Sequence, residues 1–373
     1  MAGVLSEDRV QSVEAVTVSL PLAKTVWASG LRITQRDFLV VRVRTKSGRC
    51  GYGFHKSRGI TLDRIVRDNL APSVIGKSPW EVERIWDEMY RATLFSGRTG
   101  AVMRALGTVD IALWDLRAQL AGAPLHRLLG GYRSECRILL VTGYYEEDPH
   151  ELKPLLEDVE YHALQGIDFF KIAAGMLDLT GDTRRIAEAR RVAGETADLA
   201  VDVNWVWSDL KQALRAARLW EPYRLSWIEE PFPPGSTRAR RRFAQESPIP
   251  LAIGDEQSGV AFFRDLIHND SVDVVRVDTP VVGGITPTLR IIALADAAGL
   301  PVSPHIYPEI NIHLAAAFPN VVAVEMFSSR TELYQIDRFI SSKLELRGGA
   351  AIAPSQPGLG FDLDWESLLR HTI

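Results

Sequence analysis

The chain has two cysteines, Cys50 and Cys136, in 373 residues. They lie far apart and form no Cys-x-x-Cys pair, which excludes a disulfide framework and a cysteine-built zinc site. A reduced, cytoplasmic protein is the resulting expectation. Lysine is scarce too, with eight among the 43 basic residues. No apolar run approaches the length that crosses a bilayer, and the opening "MAGVLSEDRV" lacks the apolar stretch of a signal peptide. Long blocks of one charge are absent and the net charge is −4, so neither nucleic acid nor a membrane is an expected partner. What is present is an ordinary globular balance, 46% hydrophobic and 24% charged. The length suits one large domain or two ordinary ones.

Two textures divide the chain. In the first, "VEAVTVSLPL" and "DFLVVRVRTKSGRCGYGF" alternate apolar and polar residues, with a Ser-Gly turn at 47–48, and predict antiparallel strands and a hairpin. "SPWEVERIWDEMYRAT" opens with a Ser-Pro helix start, and "GAVMRALGTVDIALWDLRAQLAG" predicts a long helix apolar on one side. Residues 1–133 thus form an α+β unit. From 134 to 328 short apolar runs alternate with amphipathic helical segments: "CRILLVTG", "DFFKIA", "LAVDVN", "LSWIEE", "PLAIGDE", "VDVVRVD", "LPVSPH" and "VVAVEM". Continuous rather than alternating hydrophobicity suits parallel strands covered on both faces, and such a series predicts a (β/α) barrel. Residues 329–373 fit no further β/α unit and are expected to return to the first unit.

In such a barrel the C-terminal strand ends build the active site. The second strand carries Lys171, in "FFKIAAG". The next ends are "VDVN" with Asp202 and Asn204, "WIEEP" with Glu229 and Glu230, and "IGDE" with Asp255 and Glu256. Asp278, His305 and Glu325 follow on the sixth, seventh and eighth. One acid at a strand end often caps the next helix. Seven consecutive ionisable ends on one rim are hard to explain that way. Asp202, Glu229 and Asp255 are spaced 27 and 26 residues apart, about one β/α unit each, which aims three carboxylates at one point. Converging anions repel unless a cation joins them, and all-oxygen ligands suit Mg²⁺. Alternate residues face opposite ways, so one of Glu229 and Glu230 is a direct ligand, and likewise one of Asp255 and Glu256. Asp278 can accept from one ring nitrogen of His305, fixing its tautomer for proton transfer.

These segments, with "GTVDIALWDLRAQLAGAPLHRLLGGYR", "VDTPVVGGIT" and "SPHIYPEINIHLAAAFPN", resemble the enolase superfamily, of the mandelate racemase type, over nearly the whole length. The resemblance implies a modified TIM barrel, (β/α)7β-like, under a capping domain formed by the N-terminal region and the C-terminal tail. It implies one Mg²⁺ per subunit, a carboxylate substrate whose α-proton is removed to give an enolate, and a homo-oligomer. By motif position the metal ligands would be Asp202, Glu229 and Asp255, with Glu230 and Glu256 behind them. Asp278 and His305 match the family's dyad, and Glu325 its substrate-bonding acid.

The family usually shows Lys-x-Lys on the second strand, the second lysine being a base; here Ala173 takes that place. No lysine replaces Asp278, which argues against the muconate-lactonizing type. Lys171 is then expected to neutralise the substrate carboxylate and enolate rather than take a proton. One good base favours dehydration of an acid sugar, aldonate or aldarate, to a 2-keto-3-deoxy acid. The alternatives are a racemase or epimerase with an unlocated base, for which His55, Lys56 and Arg98 are candidate contacts, and a catalytically impaired member. Asn204, Val26 and Trp27 are the expected substrate contacts, with Trp205 and Trp207 narrowing the site.

Overall fold

The computed structural model describes residues 8–28 and 30–373. Strands β1 (Val10–Ala28), β2 (Leu31–Thr45) and β3 (Cys50–Lys56) form an antiparallel sheet in that order. The turn between β2 and β3 falls at the expected Ser-Gly pair, with Gly48 at φ 88° and Arg44 opposite Cys50. The Ser-Pro start holds as well. Ser78 accepts from the Trp80 amide while its own amide donates to Glu81, ahead of helix Val82–Thr93.

Helix Ala101–Leu120 differs from expectation: it is buried on two sides, not one. One side lies on β3, where Gly51 and Gly53 let the backbones touch; a Cβ at Gly53 would overlap the Thr108 carbonyl. The other side lies on the barrel, where a Cβ at Gly107 would overlap the Pro280 carbonyl. Its two buried acids work as connectors. Asp110 accepts from the Thr286 amide at 2.9 Å and hydroxyl at 2.7 Å. Asp115 accepts from the Tyr52 amide at 3.0 Å and the Leu359 amide at 2.8 Å. Burial pushes both carboxyls up to about 7 against these donors.

The eight apolar runs each contain a strand: β4 (Glu135–Thr142), β5 (Phe169–Ala173), β6 (Asp198–Asp202), β7 (Ile228–Glu229), β8 (Leu251–Ile253), β9 (Val274–Val277), β10 (Val302–Pro304) and β11 (Val324–Phe327). β4 to β10 pair in parallel in chain order, and β11 pairs with β4. A single bridge, Val302 to Val321, closes β10 toward β11. Helices Lys153–Ala163, Leu179–Ala193, Leu210–Trp220, Thr237–Glu246, Val260–His268, Ile285–Ala297 and Pro308–Ala317 cover the outside. Among the described residues no α-helix packs as an eighth crossover after β11, so the barrel is (β/α)7β. Instead β12 (Leu346–Arg347) and β13 (Ala350–Ile352) form an antiparallel pair, and β13 pairs antiparallel with β4. The chain then returns to the capping sheet, where the Ser19 amide donates to His371 and the Ile373 amide to Thr17. Both cysteines are free, and among the described residues no helix is long and apolar enough to cross a membrane.

Because helix Ala101–Leu120 rests directly on the turn after Asp278, cap and site are mechanically joined. Gly107→Ala is expected to lower stability by about 1–3 kcal/mol through overpacking. Catalytic efficiency should fall with it. Thermal melting and kcat/KM measured side by side check this.

Candidate active site

The barrel lumen is built in layers. Leu139, Phe169, Ala200, Trp227, Ala252, Val274 and Ala323, one from each of seven strands or their lead-ins, form a closed apolar cluster. Side chains alternate along a strand, so the residue two positions further faces the same way. That step leads to Lys171, Asp202, Glu229, Arg276 and Glu325. An apolar plug therefore lies beneath a charged layer, and nearly all of this layer is buried. Arg276 was not among the expected site residues. The signal for it was present: in "VDVVRVD" it stands two before Asp278, on the same face.

Lys171 Nζ lies 2.5 Å from Glu229 Oε1 and 3.1 Å from Glu325 Oε1. Burial and Arg276 oppose its charge, but Glu229, Glu325 and Asp202 prevail and hold the ammonium above its ordinary pKa. Arg276 Nε lies 3.2 Å from Glu229 Oε2 and 3.5 Å from Asp255 Oδ1, and its Nη2 pairs with Glu325. Ser303 accepts from Arg276 Nη1 at 2.7 Å. Burial alone would raise Glu229, but Arg276 and Lys171 hold it below the usual carboxylate range. Asp202 has weaker support. Burial and the adjacent Glu229 push it up to about 7, although the Asn204 amide donates to Oδ1 at 2.9 Å. Burial likewise pushes Asp255 well up.

The adjacent acids of each pair point different ways. Glu230 turns away and accepts from the Gly254 amide at 2.7 Å, the Asp255 amide at 2.9 Å and Trp205 Nε1 at 2.8 Å, so it fixes the backbone that carries Asp255. Glu256 pairs with Arg58 and Arg104 of the capping unit. Asn204, Trp205, Glu230, Glu256, Ile306 and Tyr307 all adopt left-handed backbone, placing strain directly after four strand ends. His305 Nδ1 donates to Asp278 Oδ2 at 2.8 Å, leaving Nε2 bare and 3.6 Å from Asp255 Oδ2. Burial, then the charges of Lys56, Lys171 and Arg276, hold the imidazole well below its ordinary pKa and so neutral.

A cavity of about 370 Å³ lies between this floor and the cap. Tyr144, Asp202, Asn204, Trp205, Glu230, Asp255, Glu256 and His305 line it from the barrel; Ala28, residues 31–37, Lys56, Arg58 and Gly59 line it from the cap. Several expected contacts are elsewhere. Val26 is packed in the capping core and Trp27 is tied by its backbone to Tyr145, so neither lines this cavity. The segment that reaches it is the next one along, the last residue of β1 and the first half of β2. Trp207 packs on Trp220 instead, Arg98 is exposed, and His55 is buried against Arg104. Lys171, Glu229 and Glu325 lie beneath the floor rather than at its surface, because they bond one another and Arg276.

Among the described residues no three of His, Cys, Asp and Glu already stand as a metal shell, since Arg276 lies between Glu229 and Asp255. The donor set still fits a hard divalent cation. Asp202 and Glu229 are direct partners across β6 and β7, Asp202 and Asp255 line the cavity, and Asp255 Oδ1 has no hydrogen-bond partner among the described residues. Buried carboxylates pushed toward neutrality regain their charge when a cation joins them.

A (β/α)7β barrel whose strand ends are roofed by a three-stranded sheet and a returning tail is the architecture of the enolase superfamily. The sequence matches the mandelate racemase / muconate lactonizing enzyme N-terminal domain over residues 11–130 and the enolase C-terminal domain-like family over residues 155–367. The chain belongs to this family. The L-talarate/galactarate dehydratase of Salmonella typhimurium is 30% identical over 364 residues, 95% of this chain and 89% of that protein. The arabinonate dehydratase of Saccharolobus solfataricus is 30% identical over 346 residues, 90% of each. The crystal structure of L-talarate dehydratase from a Polaromonas species, complexed with Mg and L-glucarate, has a TM-score of 0.88 at 31% identity and covers 98% of both chains. These named relatives are sugar-acid hydro-lyases, and magnesium is the ion of the solved one.

Among the described residues Arg276 is the one arginine or lysine that reaches both Glu229 and Asp255. Arg276→Met is expected to destabilise the metal-free protein by about 3–5 kcal/mol, the scale of breaking a buried ion pair. Magnesium should then raise the melting temperature more than it does for the unmutated chain. Scanning calorimetry with and without Mg²⁺ measures both; an equal rise in the two proteins removes Arg276 from the charge balance.

Proposed function

We propose that the protein dehydrates an acid sugar to a 2-keto-3-deoxy acid. The observation that carries this is one-sided acid–base equipment. The Asp278–His305 pair opens on the cavity, while Ala173 offers no base on β5 and Lys171 is locked beneath the floor by two glutamates. Racemisation needs a second group across the α-carbon. Among the described residues Lys56 is the one amine lining the cavity, and it belongs to β3 of the cap rather than to a barrel strand facing His305.

Asp202, Glu229 and Asp255 would hold Mg²⁺, which when bound supplies positive charge to offset the charge that develops on the substrate carboxylate. The other steps belong to the chain. Nε2 of His305 takes the C2 proton, with Asp278 holding the ring and stabilising the imidazolium. The electron pair left at C2 forms the C2–C3 double bond as the 3-hydroxyl departs. The same imidazolium gives its proton to that hydroxyl, which leaves as water, and the enol tautomerises to the keto acid. Lys171 and Arg276 keep Glu229 ionised and hold Glu325 in place, an indirect role rather than the direct substrate contact expected for Lys171. The cap, with Trp205, excludes bulk water from the cavity.

His305→Asn is expected to reduce 2-keto acid formation by about 10²–10⁴-fold, the range for a positioned acid–base group. Exchange of the substrate α-proton in D₂O should fall with it. Wild-type exchange in this variant would reject His305 as the base. Inversion at C2 with deuterium incorporation and no keto acid in the unmutated enzyme would replace dehydration by epimerisation.

A further inference from the structure

Roof and floor of the cavity differ in charge. The floor presents Asp202, Asp255, Glu230 and Glu256, whereas the roof presents Arg32, Arg36, Lys56 and Arg58. Arg58 is engaged with Glu256, and Arg32 is exposed to water. Lys56 and Arg36 are neither. They are 4% and 5% exposed, and among the described residues no carboxylate lies within 4.0 Å of either head group. Arg36 Nε donates to the Leu333 carbonyl at 3.2 Å, but its Nη2 has no partner. The one acid of the roof, Asp37, is turned to Gln35, which donates to its Oδ1 at 2.8 Å.

Both cations flank the ring of Phe327: Lys56 Nζ is 5.1 Å from its centroid and the Arg36 guanidinium 6.0 Å. A ring face offsets far less charge than a carboxylate does. Burial lowers the pKa of both groups, and Arg58 lowers both further, so these cations are held at the cavity wall against desolvation and mutual repulsion. Such an arrangement persists where an anion completes it.

From this geometry we infer that Arg36 and Lys56 seat a second carboxylate, so that the substrate is an aldarate, with a carboxylate at each end, rather than an aldonate. The inference rests on the proposed dehydration of an acid sugar. One end of the substrate meets Asp202, Asp255 and their metal on the floor, and the other meets the two roof cations. An aldonate ends in a neutral hydroxymethyl group, which would leave both cations unpaired. Relatives of equal identity include a talarate/galactarate and an arabinonate dehydratase, so resemblance does not choose between the classes. The two buried cations do.

The test compares hexarates with hexonates of the same configuration, differing only at C6, on the Mg²⁺-loaded protein. The best hexarate is expected to exceed its hexonate at least 100-fold in kcat/KM. Arg36→Gln and Lys56→Gln should each collapse that ratio to below tenfold, with the loss falling in KM. Equal turnover of a matched pair by the unmutated enzyme overturns the inference, as does a ratio that survives both substitutions. Calorimetry on His305→Asn with Mg²⁺ reads the seat without turnover, and the hexarate should bind at least 30-fold more tightly. Preferential hexarate binding with no keto acid from any sugar would retain the seat and reject the dehydration. Keto acid from hexonates with equal affinity for both would do the reverse.

Discussion

The structure depends on keeping like charges buried together at the mouth of the barrel. Glu229, Asp255 and Glu325 are all but removed from water, Asp202 is half-buried beside them, and within the layer Lys171 and Arg276 oppose them. Two cations against four carboxylates leave a deficit, which falls on Asp202 and Asp255, the two that face the cavity. A divalent cation belongs where that deficit is. The lumen below is packed with apolar side chains, so the charges of the layer are balanced from within or from above.

The cap completes the balance rather than merely covering it. Arg58 and Arg104 hold Glu256, the residue after Asp255, and helix Ala101–Leu120 rests on the turn after Asp278. Glycines at 51, 53 and 107 bring that helix close enough to act as a rigid strut between sheet and barrel. The cap therefore fixes the segment that carries Asp255 and the turn that follows Asp278, and it also supplies the cationic end of the cavity. Floor and roof have opposite polarity: the floor is short of positive charge and the roof of negative charge.

Much of the site could be read from strand ends. The spacing of Asp202, Glu229 and Asp255 matches the β/α repeat, and the pairing of Asp278 with His305 needs only that neighbouring strands end level. The division within "EE" and "DE" followed from the two-residue pleat. The same pleat counted back from Asp278 reaches Arg276, whose acidic partners Glu229, Asp255 and Glu325 all lie in other segments and so leave no mark beside it in the chain. Lys171 was located correctly, yet its partners were not, since glutamates from β7 and β11 reach it across the lumen from positions 58 and 154 residues away.

The order of runs and breaks in the sequence determined the eight parallel strands, the seven covering helices and the set of ionisable ends, because those features depend on local period and on hydrophobicity. Tertiary structure alone decided which cap residues meet the site. Whether Val26 and Trp27 or Arg36 and Lys56 face the cavity depends on how far β1 and β2 extend, on a register shift between Pro21 and Val26, and on how closely glycine-lined surfaces let the cap settle. Those are distances between segments remote in the chain, and no local pattern encodes them.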